Sequence, residues 1–145
     1  RGFLRAAGGA YYPQPPAHPD SHTSWLTNQT STALDTRNDA RRALAKDAVY
    51  RRVSSPALLL YYYKDEQHQD SAASVAVMLD AFSKFGANRG PSALNRAVAV
   101  EDGNHILMSQ YVRTDKDFIK SEVRAFLRDV TTAKKANPAA AALVQ

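Results

Sequence analysis

Six consecutive apolar or aromatic residues, Ala57-Leu58-Leu59-Leu60-Tyr61-Tyr62, follow Pro56 directly and break into Tyr63-Lys64-Asp65-Glu66-Gln67-His68-Gln69-Asp70. A run this short, without in/out alternation, predicts a strand buried on both faces, the pattern of a central parallel strand. Proline suits the start of such a strand, where its missing N–H falls outside the main ladder. The polar break then sets Asp65 just past the strand's carboxyl end. In open α/β sheets that edge is where ligands bind.

The flanking sequence supplies helices. Thr32 to Arg52 is helix-like, with Leu34, Ala40, Ala43, Leu44 and Ala48 able to share one side. Ser71 to Phe85 predicts an amphipathic helix whose stripe is Val75, Met78, Leu79, Phe82 and Phe85. Asp70 or Ser71 would cap its start, and Gly86 stands where a left-handed C-cap belongs. Ala97-Val98-Ala99-Val100 reads as a second buried strand, ended by Glu101-Asp102-Gly103-Asn104-His105. Thr114-Asp115-Lys116-Asp117 has capping-box spacing and opens a helix expected to bury Phe118, Ile119, Val123, Phe126, Leu127 and Val130. Strands alternating with helices predict an α/β fold, a parallel sheet with right-handed crossover helices. Residues 1–32, with Pro13, Pro15, Pro16 and Pro19, are expected to be irregular; 33–131 form the α/β body; 132–145 form a flexible tail.

At 145 residues the chain is long enough for one domain with a real core. Its apolar runs are far too short to span a bilayer, so no membrane partner is expected. The absence of cysteine excludes a disulfide scaffold, a thiol nucleophile and cysteine-built zinc sites. A net charge of +5 and a pI near 9.6 suit a nucleic-acid binder. The densest basic group, however, is Arg37, Arg41, Arg42, Lys46, Arg51 and Arg52, interleaved with Asp35, Asp39 and Asp47 at helical spacing. That is the pattern of a solvated helix face, and no nucleic-acid partner is expected.

Asp65 and His105 each follow a buried strand. If the two strands are neighbours, their loops meet at one sheet edge. A carboxylate accepting from one ring nitrogen of a histidine fixes the tautomer and leaves the other nitrogen free as a general base. Taken singly, an aspartate after a strand is a turn former or helix cap, and a loop histidine is simply exposed. Asp65, His68, Asp70 and His105 could also offer oxygen and nitrogen to a metal, but no His-x-x-x-His spacing accompanies them, and no metal or cofactor is expected. Trp25, Tyr11, Tyr12 and Tyr111 are candidates for an aromatic pocket wall.

The order of these pieces resembles the C-terminal part of an α/β-hydrolase, closest to the dienelactone-hydrolase and esterase-like branches. The resemblance runs from about Leu34 to Val130. It rests on the strand Pro56-Ala57-Leu58-Leu59-Leu60-Tyr61, the acid loop Tyr63-Lys64-Asp65-Glu66, the histidine loop Val100-Glu101-Asp102-Gly103-Asn104-His105 and the closing helix Val123-Arg124-Ala125-Phe126-Leu127. It implies Asp65 as triad acid, with Asp70 as the alternative if the register shifts, and His105 as general base. It also implies an ester-type substrate and a serine nucleophile. The chain departs from the family at Tyr62-Tyr63 and Asn104-His105, where a glycine is common. No G-x-S-x-G elbow occurs in the sequence. The expectation is therefore the C-terminal half of a serine hydrolase separated from its nucleophile half, with the proline-rich stretch as a lid remnant. That half, or a second copy of the chain, would cover the open sheet edge. The alternative is a hydrolase-like module that binds without catalysing.

Overall fold

The computed structural model describes residues 11–13, 28–88 and 92–136. The chain forms two compact units, Arg1–Lys46 and Asp47–Gln145, dividing inside the segment expected to be one body. Trp25, the other residues of 1–10 and 14–27, and the tail from 137 lie outside the described residues.

In the first unit, β1 (Tyr11–Pro13) pairs antiparallel with β2 (Asn28–Thr30), within the segment expected to be irregular. A two-stranded ladder consists only of edges, so Pro13 is tolerated at its end. Thr30 caps helix α1 (Ser31–Leu44): its Oγ1 accepts from the Ala33 N–H at 3.1 Å. Ser31 and Leu34 are buried, whereas Ala40, Ala43 and Leu44 of the expected apolar side are exposed. The helix also stops sooner than its pattern suggests. Ala45 turns out of helical space with ψ 52°, and a separate short helix, α2 (Asp47–Tyr50), follows. No glycine or proline marks the break.

The second unit is the α/β part. Strand β3 (Leu58–Tyr62) pairs in parallel with β4 (Arg96–Val100), running in register from Leu58↔Arg96 to Tyr62↔Val100. Parallel neighbours need a crossover, and α3 (Val75–Ser83) lies in that connection. Mixed α/β architecture with a parallel pair is as expected. The sheet is smaller than the run of apolar residues implied: β3 pairs with β4 alone among the described residues. All five β3 residues are consequently half-buried, not buried on both faces. Among the residues of β3 and β4, only Val100, at the carboxyl end of β4, is buried.

Helix α3 starts later than its pattern suggests, because Ser74 is its cap and Asp70 is engaged elsewhere. Its stripe holds: Val75 is buried, Met78, Leu79, Phe82 and Phe85 are half-buried, and Gly86 has φ 75°. Phe85 packs near Phe82 and Tyr50, with ring centroids 5.3 and 6.2 Å apart. Lys84 bonds Asp47 at 2.9 Å and Asp80 at 2.7 Å, joining α2 to α3. These contacts raise the Lys84 pKa and lower that of Asp47.

Helix α4 (Lys116–Ala136) runs five residues into the expected tail. Asp115, not Thr114, caps it, its Oδ1 accepting from the Phe118 N–H at 2.8 Å. Ile119 is buried, and Glu122, Val123, Phe126 and Val130 continue its stripe at helical spacing. Phe118 and Leu127 lie off that stripe and are exposed, contrary to expectation. On the stripe's edge, Arg96 of β4 meets Asp129 at 2.8 Å and Glu122 at 3.7 Å. Among the described residues no helix is long and apolar enough to cross a membrane.

Candidate active site

Past Tyr62 the chain makes a closed excursion. The Tyr63 N–H still donates to Val100 O, extending the ladder by one bond. Tyr63 then bridges Gln69, Lys64 N–H donates to His68 O, and Asp70 N–H returns to Tyr62 O at 3.1 Å. Residues 63–69 therefore fold back on themselves, and it is Asp70 that is delivered to the end of β3.

Asp65 occupies the tip of this loop. Its carboxylate accepts from the backbone N–H groups of Gln67 at 2.9 Å and His68 at 2.8 Å, and lies 2.8 and 3.0 Å from the His68 Nδ1. The His68 ring, foremost, and these backbone bonds hold its carboxyl below the usual value against partial burial. All its partners sit within three residues, so Asp65 is spent on shaping a turn. Nearby, Tyr63 O–H donates to Glu66 at 3.0 Å, which raises the tyrosine's pKa.

Asp70 is the carboxylate that meets His105. Oδ2 lies 2.8 Å from the His105 Nδ1, across 35 residues of sequence. Oδ1 accepts from Ala72 N–H at 2.8 Å and Ala73 N–H at 2.9 Å. The expected Asp65–His105 pair is thus replaced by Asp70–His105, because the 63–69 excursion carries Asp65 away and brings Asp70 back. The two side chains differ in setting: Asp70 is 5% exposed and His105 56%. Burial pushes the Asp70 carboxyl up, but the His105 bond and the Ala73 and Ala72 N–H groups outweigh it, leaving its pKa lowered. Asp70 is therefore ionised at neutral pH and can only accept. The proton between them belongs to Nδ1, and the neutral ring carries its lone pair on Nε2.

The sign of this shift fixes a pH dependence. A carboxyl whose pKa is lower folded than unfolded contributes stability above its unfolded pKa of about 3.9. That contribution is lost as pH falls through the lower, folded value. Tm measured against pH should separate the native protein from Asp70→Asn at neutral pH and bring them together in acid. A gap that persists to the lowest pH would refute the assignment.

The histidine loop is held by local bonds. Gly103 has φ 152°, where side chains are strained, and a Cβ there would stand 2.8 Å from Leu107 Cδ2. Asn104 Oδ1 accepts from Ile106 N–H at 2.8 Å. Thr114 O–H donates to Asp102 O at 2.7 Å, closing the loop against the start of α4. Gly103→Ala is expected to cost about 1–3 kcal/mol by chemical denaturation and to weaken the Asp70–His105 bond. An unchanged midpoint would show that the loop tolerates the side chain.

Among the described residues no three His, Asp or Glu side chains are grouped to hold a metal ion. The six basic side chains from Arg37 to Arg52 are exposed. Tyr111 is half-buried in the histidine loop. Comparisons with protein-family models, with curated proteins and with solved structures found no match.

Proposed function

We propose that this chain supplies the acid and the histidine of a Ser–Asp–His triad in a serine hydrolase acting on carboxylic-ester-type bonds. Asp70 is the acid and His105 the base. The observation that carries the reading is the 2.8 Å bond between a buried carboxylate and an exposed imidazole. A buried, ionised acceptor orients the ring, and an exposed ring presents Nε2 to reacting groups. The order of elements around the pair supports the finer assignment, the C-terminal part of an α/β-hydrolase.

The nucleophile and the oxyanion donors lie on a polypeptide segment outside these 145 residues. The sequence has no G-x-S-x-G elbow, and β3 carries apolar residues on both faces yet is only half-buried. A parallel strand of this composition is normally covered. In the reaction, His105 Nε2 takes the proton of the serine hydroxyl as its oxygen attacks the carbonyl. The imidazolium returns that proton to the departing alkoxide, and water activated by the same nitrogen releases the acid.

A fluorophosphonate probe, whose fluoride is displaced by an activated serine, tests the proposal on the full natural protein. Labelling is expected on a serine of a segment that stays associated with this chain, and it should vanish in His105→Ala. Labelling that survives in His105→Ala, or none in the native protein, would leave the non-catalytic module as the better reading.

A further inference from the structure

The His105 side chain is 56% exposed, so enclosure by neighbours does not hold the ring in place. Asp70, its partner, is fixed: the side chain is buried, Oδ1 takes the Ala72 and Ala73 N–H groups, and its own N–H returns to Tyr62 O. Where the imidazole meets this carboxylate therefore depends on the backbone that carries it. After Val100, whose carbonyl takes the Tyr63 N–H, the chain leaves the sheet. Two residues on, Thr114 catches it, the hydroxyl donating to Asp102 O at 2.7 Å. The same side chain flanks Gly103, where an added Cβ would stand 3.6 Å from Thr114 Oγ1 and 3.8 Å from Thr114 Cβ. Asn104 then closes onto the Ile106 N–H, and His105 lies within that turn.

We propose that Thr114 is a positioning residue for His105, its hydroxyl holding the histidine loop where Nδ1 reaches Asp70. The effect on the ring rests on these bonds alone; the effect on turnover rests on the hydrolase reading. Thr114 has the spacing of a helix cap, but α4 does not use it as one. Asp115 caps that helix through the Phe118 N–H, and the Lys116 N–H bonds the Thr114 backbone carbonyl, which no side-chain change removes. The hydroxyl serves the histidine loop instead. Asp102 is exposed, so water can replace the hydroxyl at its carbonyl, and the bond adds little to global stability. Water does not replace its direction. A carbonyl bonded to solvent leaves residues 102–105 free to swing, and a loop shift of one ångström is enough to part a 2.8 Å bond between Nδ1 and Asp70.

The test compares Thr114→Val, which removes the hydroxyl and keeps the shape, with Thr114→Ser, which keeps the hydroxyl, in the full natural protein. Proton–nitrogen correlation spectra of the neutral His105 ring read the positioning directly. In Thr114→Val the single form protonated on Nδ1 should give way to a mixture that includes the form protonated on Nε2. Thr114→Ser should keep the native pattern. On an ester substrate, kcat should fall by up to about 10²-fold in Thr114→Val with KM little changed, as for a misplaced catalytic group, and serine should restore it. A ring that stays wholly protonated on Nδ1 in Thr114→Val overturns the proposal. So does a serine variant that behaves like valine, which would assign the effect to the methyl group against Gly103. A valine variant that does not fold also overturns it, since the bond would then be one the whole fold requires. The predicted tautomer change with unaltered turnover, or a native protein that cleaves no ester, leaves the positioning in place and overturns the hydrolase reading beneath it.

Discussion

In the proposed hydrolase, replacing Asp70 with asparagine should lower ester turnover by about 10⁴-fold while leaving the fold in place, the size of effect expected when a triad histidine is held in the wrong tautomer. Asparagine at this position can still accept from Ala72 and Ala73 through its carbonyl oxygen. Its amide, however, would donate to Nδ1, forcing the ring proton onto Nε2 and removing the lone pair that acts as base. His105→Ala removes the base altogether and should cost at least as much. Asp65→Asn is the control, since its carboxylate bonds only Gln67 and His68. It should retain turnover. Loss of activity in Asp65→Asn with retention in Asp70→Asn would reverse the roles assigned to the two carboxylates.

The second large effect is on stability. Ile119 is 2% exposed at the start of the α4 stripe. Truncation to alanine should cost about 3 kcal/mol, from the methylenes removed and the cavity left behind. In a unit of this size that corresponds to a fall of about 12–20 °C in Tm. Leu127, on the same helix and 56% exposed, is the contrast. Leu127→Ala should change stability by about 0.5 kcal/mol or less, because its side chain is already in water. Differential scanning calorimetry of the two variants measures both. Equal losses would mean that a partner covers Leu127 in solution.

The parallel pair, the helix between its strands, the helix after them and the placement of a histidine beyond β4 were legible in the sequence. Each rests on a local pattern: an unbroken apolar run, a helical stripe, a polar break. Two things were not legible, for separate reasons. Apolarity states what a strand would bury, not how many neighbours it has, and so Leu58–Tyr62 looked fully buried while having one partner strand among the described residues. The partner of His105 differed from the expected Asp65 because distance along the chain is not distance from the sheet. Seven residues, 63–69, leave β3 and return to it, so Asp70 lies nearer the strand end than Asp65 does. A signal for this was present: Asp65 stands three residues before His68, the spacing of a local turn that uses up its carboxylate. Asp70 precedes Ala72 and Ala73, whose N–H groups it binds.

The helix break at Ala45 and the exposure of Phe118 and Leu127 are of another kind. Periodicity alone set the expected helix from Thr32 to Arg52, and no glycine or proline in the sequence marks its break at Ala45. In α4 the stripe through Ile119, Val123, Phe126 and Val130 fills the inward side, which leaves Phe118 and Leu127 facing out.

The measurement that bears most directly on the central claim is the protonation pattern of the His105 ring. Long-range proton–nitrogen correlation spectra of ¹⁵N-histidine-labelled protein, at a pH where the ring is neutral, distinguish a protonated ring nitrogen from one with a lone pair. The predicted result is Nδ1 protonated and Nε2 bare in the native protein, switching to the opposite tautomer in Asp70→Asn. The contradicting result is a His105 pattern that Asp70→Asn leaves unchanged.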